Sequence, residues 1–180
     1  MYGMVNKAIE DMVISAHGAE LWEQIMLKAG VDVELFVSSE TYPDQMTYSL
    51  VGASGEVLAI PAQQVLEALG EHWILHTASK NYSDMMAAGG KTLREFLINL
   101  PNFHSRVSII LPDLTPPRFH CCDAGDQWVR IRYSSHRAGL APFVAGLFRG
   151  LGKLFETPVT VQQVVAKGEG VDSDEFLVAW

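Results

Sequence analysis

Gln127-Trp128-Val129-Arg130-Ile131-Arg132-Tyr133 changes character at almost every residue, and Ser134-Ser135-His136-Arg137 carries the pattern onward. In an extended chain successive side chains point to opposite faces. Val129 and Ile131 then share one face, and Trp128, Arg130 and Arg132 the other. The face that gathers Val129 and Ile131 is the one that buries. Tyr133, Ser135 and Arg137 fall on it too, so a phenol, a hydroxyl and a guanidinium are aimed inward. Buried donors need acceptors, and an inward guanidinium needs an anion. Arginine is the side chain best shaped to grip a carboxylate with two parallel hydrogen bonds. The stretch predicts a half-buried strand that ends in an internal anion site.

Upstream, Pro116-Pro117 opens an extended run from Arg118 to Asp123, and Gly125-Asp126 makes a turn into the strand. Downstream, Gly139 and Pro142 introduce a helix, Pro142 to Phe155. Thr157 to Val165 is rich in β-branched residues and reads as a strand, with Glu175 to Trp180 as the last. The first hundred residues have helical spacing instead. Val5, Ile9, Met12 and Val13 form one stripe, Glu20 to Ala29 a second helix ended by Gly30, and Tyr42 to Leu58 a third. Pro61 opens a fourth, Ala62 through Trp73, followed by a small-residue segment from Asn81 to Gly90. Thr92 caps a helix through Leu93, Phe96 and Leu97, and Asn99 is expected to cap a separate one with Pro101 in its first turn. On that helix Leu100, His104, Val107 and Leu111 make a single stripe. The outline is α+β: a helical N-terminal half, then a small antiparallel sheet with one helix inserted.

Hydrophobic residues at 48% and charged ones at 19% fit a compact folded chain and exclude disorder. The 180 residues suit one domain with a good core. A formal net charge of −8 with no basic block argues against nucleic acid as a partner. No apolar run reaches the roughly 18 residues of a membrane span. The opening lacks the basic region, apolar core and cleavage site of a signal peptide, so a cytoplasmic location is expected. The two cysteines, Cys121 and Cys122, are adjacent, which gives no disulfide framework and suits a reducing compartment. His120-Cys121-Cys122 offers half of a zinc site, and the second pair of ligands is missing.

His104 lies on an apolar stripe beside Phe103. Two readings stand: a core histidine bonded to a backbone carbonyl, or an axial ligand to a haem iron. A haem is a large apolar plate with two carboxylates on one edge. It needs an iron ligand in an apolar wall and donors for its propionates; His104 offers the first, and Tyr133, Ser135 and Arg137 the second. His17 and His136 read as surface residues. His72 and His76, one turn apart, lack a third converging ligand and read as surface too.

These residues resemble the haem nitric-oxide/oxygen-binding (H-NOX) family, which also forms the sensor region of soluble guanylate cyclase. The resemblance rests on Met1-Tyr2-Gly3-Met4-Val5-Asn6, Asn99-Leu100-Pro101-Asn102-Phe103-His104, Pro116-Pro117, Tyr133-x-Ser135-x-Arg137 and Gly139-Leu140-Ala141-Pro142-Phe143. It implies one H-NOX domain over 1–180, with a helical distal lobe over about 1–60 and a proximal lobe over about 61–180. The proximal lobe would hold a four-stranded antiparallel sheet, with b-type haem between the lobes. By position, His104 is similar to the proximal iron ligand, Tyr133, Ser135 and Arg137 to the propionate clamp, and Pro117 to the proline that presses on the macrocycle. Val5, Ile9, Trp73, Phe143 and Leu147 resemble the distal lining.

Oxygen-binding members place a tyrosine hydroxyl over the bound gas, and here the matching position is Phe143. The run Ala141 to Leu147 holds no hydroxyl or amide, which implies a sensor of nitric oxide, with carbon monoxide a further candidate. The Trp73 indole N–H is the donor that stands against this. Nitric oxide is expected to weaken the iron–His104 bond, and the output, with no catalytic signature in the chain, to be exerted in trans. In stand-alone bacterial members the partner is commonly a histidine kinase or a cyclic-di-GMP enzyme. The rivals are an oxygen sensor of the same family, a haem enzyme, for which no distal His/Arg pair is apparent, and a carrier of another apolar acid.

Overall fold

The computed structural model describes residues 1–110 and 116–180. Leu111 and Pro112, expected to close the His104 stripe and the helical half, lie outside the described residues.

Helix α1 (Gly3–His17) buries Ala8, Ile9 and Val13. Helix α2 (Ala19–Ala29) stops at Gly30, whose φ of 64° is a left-handed conformation that glycine adopts at little cost. There the Gly30 N–H bonds the Leu27 carbonyl and the Val31 N–H the Met26 carbonyl, which satisfies two orphaned helix-end carbonyls. Helix α3 (Asp44–Leu58) follows Pro43 and α4 (Ala62–His72) follows Pro61. Helix α4 runs into a π-helical segment, Trp73–Ala78, and then two short helices, α5 (Ser79–Asn81) and α6 (Ser83–Ala87). No residue pattern marks the π turn, since one widened turn leaves the apolar spacing almost unchanged.

The expectation of two helices around Asn99 is corrected. Helix α7 runs unbroken from Leu93 to Ile110 with Pro101 inside it. Thr92 caps its start, accepting the Glu95 N–H at 3.2 Å, while Glu95 reaches back to the Lys91 N–H at 2.8 Å. Asn99 does not cap because its side chain is engaged elsewhere: Nδ2 donates to the Gly89 carbonyl at 3.1 Å, and Oδ1 accepts from Asn102 at 2.6 Å. Pro101 removes one i→i−4 hydrogen bond from the middle of α7 without ending it.

Strands β1 (Arg118–Ala124), β2 (Trp128–Ser134), β3 (Thr160–Val165) and β4 (Asp174–Ala179) form one antiparallel sheet, as expected, and the strand order is β1-β2-β4-β3. Helix α8 (Ala141–Leu154) is the inserted helix. On β2, Val129, Ile131 and Tyr133 are buried and Arg130 and Arg132 exposed, as the alternation requires. Phe119 pairs with Tyr133, Ile131 with Phe176 and Val129 with Val178, so the middle of one face of the sheet is apolar. On the other face Arg130 and Arg132 converge on Glu175, whose carboxyl is held below its ordinary value by the Arg132 hydrogen bond, with Arg130 adding to it. A bulge in β1 between Cys121 and Asp123 leaves Cys122 without a cross-strand partner in the register.

Buried side chains gather in two cores. One, under the N-terminal helices, includes Ile9, Val13, Ile25, Leu50, Val65 and Leu69. The other, between the sheet, α7 and α8, includes Phe96, Leu97, Phe119, Ile131, Phe148 and Phe176. Trp73 packs against both. Helices α4 and α8 meet where Gly70 faces the Phe143 carbonyl and Gly146 the Glu67 carbonyl, so closely that a Cβ on either glycine would collide with backbone.

Candidate functional site

A cavity opens between the two cores, and its walls are overwhelmingly apolar. Helix α7 contributes Leu100, Phe103, His104 and Val107, the segment leading into β1 contributes Pro116 and Pro117, and β1 itself Phe119. The remaining wall holds Val5 from α1, Leu69 from α4, Trp73, and Phe143 and Leu147 from α8. Tyr133 near the end of β2, and Ser135 and Arg137 in the loop after it, line the same cavity.

Each polar group in it has a specific setting. The His104 Nδ1 lies 3.2 Å from the Leu100 carbonyl. A carbonyl can only accept, so Nδ1 carries the proton and Nε2 the lone pair. Burial lowers the His104 pKa, partly offset by that hydrogen bond, so the ring is held neutral. Its ring lies 4.7 Å from Phe119, and Phe119 lies 5.3 Å from Tyr133, an aromatic row from the histidine to the anion clamp. Burial raises the Tyr133 pKa and keeps the phenol protonated, against a hydrogen bond shared with Ser135. The Ser135 hydroxyl accepts the Arg137 N–H at 3.1 Å, which links all three residues.

Arg137 finds the anion that its inward placement demanded. Its Nε donates to Asp44 Oδ2 at 2.8 Å and its Nη2 to Oδ1 at 3.3 Å. Asp44 also accepts from the Met1 nitrogen at 2.7 Å. Partial burial opposes the charged carboxylate, but these hydrogen bonds outweigh it and hold Asp44 below its ordinary value.

A family profile described as Haem-NO-binding matches residues 2–163. This chain belongs to that family, the H-NOX domains. Soluble guanylate cyclase gcy-35 of Caenorhabditis elegans is 26% identical over 96% of the chain, and gcy-37 of the same organism 28% identical over 89%. The chain spans only about a quarter of those proteins, 26% and 23% respectively. In fold it is similar to the crystal structure of an H-NOX protein from S. oneidensis in the Fe(II)NO ligation state. That match has a TM-score of 0.87 at 21% identity and covers 99% of this chain and 98% of that one. The Fe(II) unliganded H-NOX protein from K. algicida gives 0.85 at 21% identity over 99% and 96%.

H-NOX domains bind haem, and the residues of this H-NOX cavity fit one. A neutral imidazole stands in an apolar wall, and a guanidinium, a hydroxyl and a phenol gather at one end for carboxylates. The carbonyl partner of His104 suits either reading made from the sequence, and its ring stands in the cavity wall. Of the ten residues expected here, nine line the H-NOX cavity. Ile9 does not: it is fully buried in the core of the N-terminal helices, one turn beyond Val5. His72 is also less superficial than expected. Its ring stacks on His76 at 4.5 Å, its Nε2 is buried, and burial and His76 lower its pKa.

Sequence reasoning missed Thr47 and Tyr82, which line the cavity as well. The Thr47 hydroxyl donates to Asn6 Oδ1 at 2.6 Å. The Tyr82 hydroxyl meets the Met4 sulfur at 3.5 Å, a weak acceptor. No local pattern marks either residue. The thiols of Cys121 and Cys122 lie 3.8 Å from the Asp123 and His120 carbonyls, and neither cysteine lines the cavity.

Proposed function

We propose that this H-NOX chain is a sensor selective for nitric oxide over oxygen, holding one b-type haem and signalling in trans. Nε2 of His104 would hold the iron. Arg137, Ser135 and Tyr133 would hold the propionates, and Pro117 would press on the macrocycle. With neither cysteine in the cavity wall, the residues suit a haem held without a covalent link. The haem, when bound, supplies a ferrous iron able to take a diatomic gas.

The observation that carries the selectivity is the wall of Val5, Trp73, Phe143 and Leu147. From Ala141 to Leu147, α8 offers no hydroxyl or amide to the cavity. Dioxygen draws charge from ferrous iron and gains from a donor, by roughly 1.5–3 kcal/mol for a charge-assisted hydrogen bond. Nitric oxide gains little. Leaving out that donor is worth a factor of about ten to a hundred against oxygen.

Output would run through α7. His104 would carry any change at a bound haem into α7, a helix already short of one backbone hydrogen bond at Pro101, and nitric oxide would act by weakening the hold of His104. Movement there would change the surface offered to a partner, a histidine kinase or a cyclic-di-GMP enzyme. An oxygen sensor is the second reading, favoured by the Tyr82 hydroxyl in the cavity wall with only a thioether beside it.

The deciding measurement is the visible spectrum of the haem-loaded, dithionite-reduced protein in air and then under nitric oxide. No oxygen complex in air and a spectral change with nitric oxide are expected. A stable oxygen complex would move the assignment to the second reading, and its loss in Tyr82→Phe would name the donor.

A further inference from the structure

Asp44 is the first residue of α3, and 93 positions separate it from Arg137. Its carboxylate spans the Nε/Nη2 edge of the guanidinium, at 2.8 and 3.3 Å. Arg137 lines the cavity and Asp44 does not. The carboxylate therefore stands outside the cavity wall that the guanidinium helps to form. The loop that carries Arg137 is fastened around this pair. Tyr48, one turn along α3, donates to the Ala138 carbonyl at 3.0 Å, and Lys167 Nζ donates to the Ser135 carbonyl at 2.7 Å.

An arginine side chain has many rotamers, and ordering it on binding costs affinity. A carboxylate bound to two nitrogens fixes both the plane and the position of the guanidinium before any ligand arrives. We infer that Asp44 is a positioning residue of the anion clamp, holding Arg137 against the cavity so that a ligand carboxylate meets donors already in place. This rests on the haem-binding reading of the cavity. The opposite role, an internal carboxylate that competes with the ligand for Arg137, would require Asp44 to stand inside the cavity wall.

The test is the rate of haem loss from the holoprotein to excess apomyoglobin, for wild type, D44N, R137A and the double variant. D44N should lose haem roughly tenfold faster or more. R137A should lose it at least as fast, and the double variant no faster than R137A, because Asp44 acts only through Arg137. An additive double variant would make Asp44 merely structural, and slower loss in D44N would make it a competitor; either overturns the inference. If D44N does not fold, D44E against D44E/R137A carries the same comparison, with faster loss in D44E and no further gain in the pair. Haem dimethyl ester, which lacks the carboxylates, separates the two levels. Wild type should hold it more weakly than haem, and D44N should hold it no worse than wild type does. Equal retention of ester and acid by wild type would remove the clamp itself; a D44N defect that persists with the ester would remove only the role of Asp44.

Discussion

His104 and Phe143 are the residues at which the haem-sensor reading is most exposed. With its proton fixed on Nδ1 by the Leu100 carbonyl, His104 presents a lone pair on Nε2, the form an iron ligand requires. His104→Ala should abolish stable haem binding unless imidazole is supplied. A Soret band unchanged in that variant would take His104 out of the site. Phe143 packs edge-on against Trp73 at 6.5 Å, and a hydroxyl at its ring tip would add a donor that α8 lacks from Ala141 to Leu147. Phe143→Tyr should introduce slow oxygen binding in air; absence of an oxygen complex would show that this ring does not face the gas. His104, Tyr133, Ser135 and Arg137 were legible because a period of 3.6 or 2 assigns a face from near neighbours alone. Asp44 and Tyr82 were not. Each reaches its partner from far along the chain, Tyr82 meeting Met4 across 78 positions, and no local pattern encodes such a meeting.

Among the elements, the seam between α4 and α8 is the tightest constraint. Gly70 faces the Phe143 carbonyl, Gly146 the Glu67 carbonyl, and Gly150 the Ile74 side chain. The ion pairs Arg149–Glu67, at 2.8 Å, and Lys153–Glu71 flank it. Gly146→Ala would push a methyl group into backbone that cannot yield by changing a rotamer. Overpacking of that kind costs about 1–3 kcal/mol, a fall of roughly 5 °C in melting midpoint for a chain of this size. An unchanged midpoint would mean that the helices separate at little cost. The glycines of α8 were visible in the sequence, but their purpose was not, because it depends on which backbone lies opposite. Helix α7 shows the reverse failure. Asn99 and Pro101 carry strong local start signals, and the packing of Leu97 and Leu100 in the sheet core kept the helix continuous through both.

The charged groups of the whole molecule lean mostly one way with pH. Burial lowers the pKa of His104 and of His72, so the unfolded chain takes up protons near the ordinary histidine value of 6.5 while the native state does not. Stability contributed by the neutral rings is present above that value and is lost as pH falls below it. Asp44 and Glu175 are lowered from 3.8 and 4.5, so their contribution disappears at still lower pH. Glu10 runs the other way, raised chiefly by burial, and offsets part of the loss. The guanidinium midpoint followed by far-ultraviolet circular dichroism should therefore fall between about pH 7.5 and about pH 5.5. A midpoint that rises over that interval would contradict the assigned protonation states. The glycine seam also has a consequence for how such a molecule diversifies. Helix α4 anchors in the N-terminal core through Val65 and Leu69, and α8 in the sheet core through Val144, Phe148 and Leu151. Two backbones in direct contact cannot slide past each other, so the pair acts as a rigid chassis spanning both halves. Phe143 and Leu147 hang from that chassis into the cavity wall, and either can be exchanged without disturbing what carries it; on the proposed reading, gas preference can then drift while the architecture stands still.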